Sequence, residues 1–180
     1  MRYFWFFFLL SLINTADAQH KHPTTFGFKG GLNKSIVNGV DLTGAKTGYI
    51  GYELYASLFA DTELCRKWKL ENEILFSFTD DYHFIEIPVH VKYMLFEKFN
   101  ILIGPKLDFI VDNDNDYFES GYRFRNFGVS GEIGMQYEIS KWLFAEFRFS
   151  KGLISQIDDL SLEIFDGKRN TLRLGLGVRF

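Results

Sequence analysis

Three sets of residues in this 180-residue chain have the types and spacing that chemistry requires. In the run DNDNDYFES, residues 112–120, Asp112, Asp114 and Asp116 alternate like the first ligands of an EF-hand calcium loop. That loop needs a glycine at its sixth position and a bidentate glutamate at its twelfth, where this chain has Tyr117 and Arg123. The three aspartates are therefore read as a solvated acidic loop that retains only a degraded metal pattern. Ser77 and His83 are the second set, a nucleophile and a base close enough in sequence for a hydrolase pair. Their side chains fall on opposite parities of extended chain, so they are expected not to meet. The third set is the largest: Lys29, Glu53, Lys69, Glu71, Glu73, Glu86, His90, Lys92, Lys106, Asp108, Glu132, Glu146, Arg148, Arg173 and Arg179 all alternate with apolar residues. Charges of both signs on one face are tolerable away from water only when paired and hydrogen-bonded. Glu86, His90, Lys92, Glu132, Arg148 and Arg173 are expected to form such a network, with His90 satisfied inside it instead of ligating a metal. No catalytic residue and no cofactor motif emerges.

Period-two segments must position these charges. The chain closes on TLRLGLGVRF, where Leu172, Leu174, Leu176, Val178 and Phe180 share one parity, and Thr171, Arg173, Gly175, Gly177 and Arg179 the other. The same alternation predicts eight strands, over residues 25–37, 47–59, 67–79, 83–96, 100–111, 123–139, 141–151 and 171–180. Asn72 interrupts the apolar parity of the third. Short turns (60–66, 97–99 and 140) alternate with mostly longer, polar connections (38–46, 80–82, 112–122 and 152–168). The longer set holds eleven acids against two lysines, a net of −9 in a chain whose total is −3. One end should be strongly negative, which makes attraction of divalent cations or cationic partners a reasonable expectation.

Alternation alone fits both a soluble lipocalin-like barrel and a membrane barrel. Volume separates them. An eight-stranded barrel has just enough interior for side chains to fill it, and the apolar parity here, crowded with Phe, Tyr, Ile, Leu and Trp, would overfill it. The other parity carries the small residues, Gly27, Gly31, Gly51, Gly104, Gly128, Gly134, Gly175 and Gly177, among its charges. The expected fold is all-β: an eight-stranded antiparallel up-and-down transmembrane barrel, apolar face to lipid, with a filled, non-conducting polar lumen and both termini in the periplasm. Closure satisfies every backbone group and removes the sheet edges. Trp68 and Trp142, near the short-turn end, suit membrane-interface anchoring.

Composition supports a membrane setting. The chain holds 21 Phe and 9 Tyr but only 3 Pro. Residues 1–18, one Arg followed by an apolar run and Ala16-Asp17-Ala18, have the form of a secretory signal peptide, leaving 19–180 as the barrel. Beyond it no apolar stretch reaches the roughly 20 residues of a transmembrane helix. The lone Cys65 allows no internal disulfide and has no His or Asp pattern to activate it. A net charge of −3 gives no case for a nucleic-acid partner.

The segment FIEIPVHVKYMLF, Phe84 to Phe96, resembles a signature of the PorT-like outer-membrane β-barrel family of Bacteroidota-type bacteria. FGFKGGLN (26–33), ILIGPKLDF (101–109), FGVSGEIGMQYEI (127–139), FRFSKGL (147–153) and LRLGLGVRF (172–180) agree with that family in order. The resemblance implies a bacterial outer-membrane location and a barrel fold, and supplies no catalytic residues. The family's namesake is an accessory of a secretion system, but most relatives have no assigned role, so the resemblance does not by itself carry a secretion role. The terminal Phe180 looks like the C-terminal signal read by the barrel-assembly machinery. The expected role is non-enzymatic, structural or binding, or accessory to envelope transport or assembly, with outer-membrane lipid and envelope or secretion-system proteins as partners. The alternatives are a lipid-modifying barrel enzyme and a soluble secreted ligand-binding barrel of the lipocalin type.

Overall fold

A computed structural model describes residues 22–78, 83–111, 127–159 and 164–180, the side chains of 157–159 excepted. Nine strands follow one another: β1 (Thr24–Val40), β2 (Lys46–Cys65), β3 (Trp68–Phe78), β4 (His83–Phe96), β5 (Phe99–Ile110), β6 (Phe127–Glu138), β7 (Leu143–Gly152), β8 (Ile157–Asp159) and β9 (Ile164–Arg179). Each pairs antiparallel with its neighbour from β1 to β7, β7 pairs with β9, and β9 returns to β1. The wall is thus a closed eight-stranded barrel, and β8 is a three-residue strand paired only with β9 outside it.

The alternation of residue types is the alternation of environment. Along β3 the pattern from Glu71 to Phe78 is strictly buried then exposed, with Glu71, Glu73, Leu75 and Ser77 inside and Asn72, Ile74, Phe76 and Phe78 outside. The apolar parity of the other strands also points out: Tyr52 is 75% exposed, Leu32 and Leu174 60%. An inverted, lipocalin-like arrangement is not the one this chain adopts. Two inward glycines show how bulky interior groups are accommodated. A Cβ on Gly175 would lie 1.8 Å from the Tyr55 hydroxyl, and one on Gly177 would lie 2.1 Å from the Phe144 ring.

Several boundaries depart from the sequence expectation. β1 and β2 run further than 37 and 47, leaving only residues 41–45 as their connection. There the Asp41 carboxylate accepts from the Thr43 hydroxyl (2.6 Å) and from the amides of Thr43 and Ala45 (both 2.8 Å), while Gly44 takes a positive φ of 81°. These bonds, the Thr43 hydroxyl first, hold the Asp41 carboxyl below the usual carboxylate range. β2 continues through the expected turn to Cys65 and meets Trp68 across a two-residue connection. β9 starts at Ile164, inside a stretch read as loop. Its pairing with β1 slips at Asp166, which has φ of 53°, so that Ile164 and Gly167 both face inward three residues apart. This is a β-bulge, and it reverses the parity of everything before it.

Candidate functional site: the ion-paired interior

Among the described residues, eight buried carboxylates (Glu53, Asp61, Glu71, Glu73, Glu86, Asp108, Glu132 and Glu146) share the interior with six buried Lys or Arg side chains and His90. Each stands there because it occupies the inward parity of a strand. Which charges meet depends on where the strands sit around the wall. β3 and β7 lie diametrically opposite, and Arg148 of β7 reaches across to Glu73 of β3 at 2.9 Å. β4 and β9 are likewise opposite, and Arg173 of β9 meets Glu86 of β4 at 2.8 Å.

The six residues singled out from the sequence lie within this set. Glu86 accepts from Lys106 (2.7 Å), Arg169 (2.9 Å) and Arg173. Glu132 faces Arg148 (3.1 Å) and Arg173 (3.6 Å). His90 stands between Glu71, 3.1 Å from Nδ1, and Glu132, 3.0 Å from Nε2. Lys92 contacts Glu71 and lies 2.9 Å from both Asp61 and the Gln136 carbonyl. Arg148 completes its set with Glu146 at 2.7 Å. These contacts connect all six through shared carboxylates. Lys29 fills the remaining centre, with Glu71, Glu73 and Glu146 at 2.8, 3.1 and 3.1 Å.

Glu71, Glu73 and His90 present ligand atoms within 4.8 Å of one another, a spacing that suits a metal ion. Lys29, Lys92 and Arg148 already contact the two carboxylates, so an added cation would have to displace an ammonium or a guanidinium. Ser77 is fully buried and hydrogen-bonded to Glu53, whereas His83 is exposed on the outer face with its ring 5.9 Å from that of Phe78. The two do not form a hydrolase pair. Asp112, Asp114 and Asp116 lie outside the described residues.

Sequence reasoning missed two interior charges. Arg169 meets Glu53 (2.8 Å), Glu86 (2.9 Å) and Asp108 (3.4 Å), and Asp61 takes Lys92. Extending the parity of Arg173 back through Thr171 would have found the first, and extending Glu53 forward through Phe59 the second. Two residues expected inside are only partly covered: the Lys69 side chain is 31% exposed beside Glu63 (3.2 Å), and Arg179 is 12% exposed, paired with Glu138. Phe180 points out, 73% exposed, its ring 5.4 Å from that of Phe28.

A closed antiparallel barrel with large apolar side chains outside and paired charges inside is a membrane-spanning β-barrel. The sequence pattern described as "Outer membrane protein beta-barrel domain" matches residues 16–158, and the chain belongs to that family, whose location is the bacterial outer membrane. Among solved structures, Neisserial surface protein A superposes with a TM-score of 0.56 at 11% identity, covering 88% of this chain and 99% of that one. Ail, the attachment invasion locus protein of Yersinia pestis, in complex with the heparin analogue sucrose octasulfate, gives 0.51 at 14% identity, covering 87% and 99%. OprG from Pseudomonas aeruginosa gives 0.48 at 15%, covering 91% and 99%. These likenesses concern the fold. No curated protein matches the sequence.

Proposed function

We propose that this protein is a non-enzymatic outer-membrane barrel with a filled interior, serving a structural or binding role, or an accessory one in envelope transport or assembly. The observation that carries the reading is the pair of diametric contacts, Arg148 with Glu73 and Arg173 with Glu86, which cross the interior from wall to wall. A barrel whose axis is occupied by its own ions offers, within its described interior, no aqueous path and no open catalytic cleft. In this reading residues 1–18 are an export leader, both termini lie in the periplasm and the acidic connections face outside. The chain falls in the PorT-like branch of its family, and envelope or secretion-system proteins are its partners. Phe180, outward on the last strand, is the residue the barrel-assembly machinery reads.

The test is conductance. The refolded barrel in a planar bilayer should give no stepwise current, and Arg148→Ala combined with Glu73→Ala, which empties the crossing, should give small steps. Steady channels from the unaltered protein would remove the filled-interior reading. Export is checked separately: Phe180→Ser should lower the amount of heat-modifiable protein in the outer membrane, with unfolded chain accumulating in the periplasm.

A further inference from the structure

The outer face is not uniformly apolar. Apart from Asp166 at the bulge of β9, every charged side chain that a barrel strand turns outward, among the described residues, is a lysine on one of four consecutive wall strands: Lys151 on β7, Lys168 on β9, Lys34 on β1 and Lys46 on β2. All four lysines stand toward the end of the barrel opposite the termini. Register places three of them around one point. Lys34 pairs with Leu172, Lys168 with Asn38, and Lys151 falls opposite Asn170, one step beyond the paired Ser150 and Thr171. With strands about 4.8 Å apart and a rise of about 3.3 Å per residue, the Cα atoms of Lys151 and Lys168 are roughly 8 Å apart. Those of Lys34 and Lys151 are roughly 12 Å apart, and those of Lys34 and Lys168 roughly 14 Å. Lysine side chains are long enough for three ammonium groups to converge above Asn170.

Among the described residues no carboxylate forms an ion pair with any of the four lysines, and the Lys34 ammonium lies 5.7 Å from the centre of the Tyr52 ring. The interior, by contrast, surrounds each of its cations with acids. Below the lysines, toward the termini, the same strands present Leu32, Leu54, Phe147, Phe149 and Leu174, an apolar surface for acyl chains. The opposite side, at the same end, is aromatic: Phe109 stacks near Phe127 at 5.4 Å and Phe78 near His83. Lysines clustered at the edge of a lipid-facing surface, with no ion-pair partner among the described residues, suit an anion at headgroup depth.

We propose that Lys34, Lys151 and Lys168 form a docking site for the phosphorylated headgroup of an outer-leaflet glycolipid, whose acyl chains lie on the leucine and phenylalanine surface of β1, β2, β7 and β9. The inference rests on the outward orientation of the loops given above. It assigns one side of the barrel to a bound lipid and leaves the β3 to β6 side to ordinary bilayer.

The experiment uses the full barrel refolded in phosphatidylcholine nanodiscs, titrated with phosphorylated lipid A and with the same lipid after phosphatase treatment. A lysine near an anionic headgroup is worth about fivefold in affinity, so the phosphorylated lipid should bind about a hundredfold more tightly than the treated one. The triple variant Lys34→Gln, Lys151→Gln, Lys168→Gln should lose that preference, and the corresponding triple Lys→Arg variant should keep it. Neutralising Lys67, Lys98 and Lys141 in the turns of the other end should change nothing. Equal affinity for the two lipids, or an unaltered preference in the Gln variant, overturns the proposal. Orientation is read separately by labelling Leu42→Cys on intact cells in a Cys65→Ser background, since Cys65 is itself exposed. Labelled cells together with absent lipid preference reject the lipid site alone; unlabelled cells reject the orientation, and the site with it.

Discussion

The two mouths of the barrel are closed by different means. At the loop end, Val37, Phe84, Ile110 and Ile164, all 9% exposed or less, pack with Tyr49 into an apolar cap. Directly beneath it the Arg169 guanidinium lies 3.7 Å from the Phe84 ring centroid and is shared by Glu53, Glu86 and Asp108. At the terminal end the last pairs are open to water: Arg179 with Glu138, and Lys69 with Glu63. Arg169 and Arg179 sit on one strand, ten residues apart, and both face carboxylates. The difference between them is desolvation. A charge pair sealed from water is costly to break because the survivor is left unpaired, whereas a pair at a wet rim is replaced by solvent.

That contrast can be broken most sharply at Arg169. Arg169→Met leaves three buried carboxylates short of a cation and should cost about 3 to 5 kcal/mol, seen as a large drop in the urea midpoint of the detergent-refolded barrel. Removing the cap itself comes next. Phe84→Ala opens a cavity over the guanidinium and should cost about 3 kcal/mol, with loss of the heat-resistant compact band at a lower temperature. If Phe84→Ala proves silent, the cap is not what seals the loop mouth. At the terminal mouth Arg179→Met should cost about 1 kcal/mol or less, and the loss should shrink further in molar salt, as a screened pair requires. A cost equal to that of Arg169→Met would show that both mouths are dry. Smallest of all, Lys69→Gln should change stability by less than about 0.5 kcal/mol, within the scatter of repeated unfolding curves.

Much of this was legible beforehand, and the reasons are particular. The alternation in β3 or in Leu172 to Phe180 leaves only one way to turn each strand, because a slip of one residue would put Glu73 or Arg173 in lipid. Ser77 and His83 were separable by parity alone. The start of β9 was not legible, because the bulge at Asp166 breaks the period: Ile164 and Arg169 both face inward although they stand an odd five positions apart. The hairpin of β1 and β2 was read too short, since Asn38, Gly39 and Gly48 resemble loop residues until the Asp41 turn holds them in register.

What the sequence by itself determined is therefore a set of faces: which residues avoid water, which carry charge, and that eight segments must close around the second group. The choice of partners belongs to the tertiary structure. Arg148 meets Glu73 across 75 residues and Arg169 meets Glu86 across 83, contacts that exist only because closure of β9 on β1 sets β7 opposite β3 and β9 opposite β4. Periodicity is a local property of the chain. The diameter and stagger that bring one inward charge within 3 Å of another belong to the closed wall as a whole.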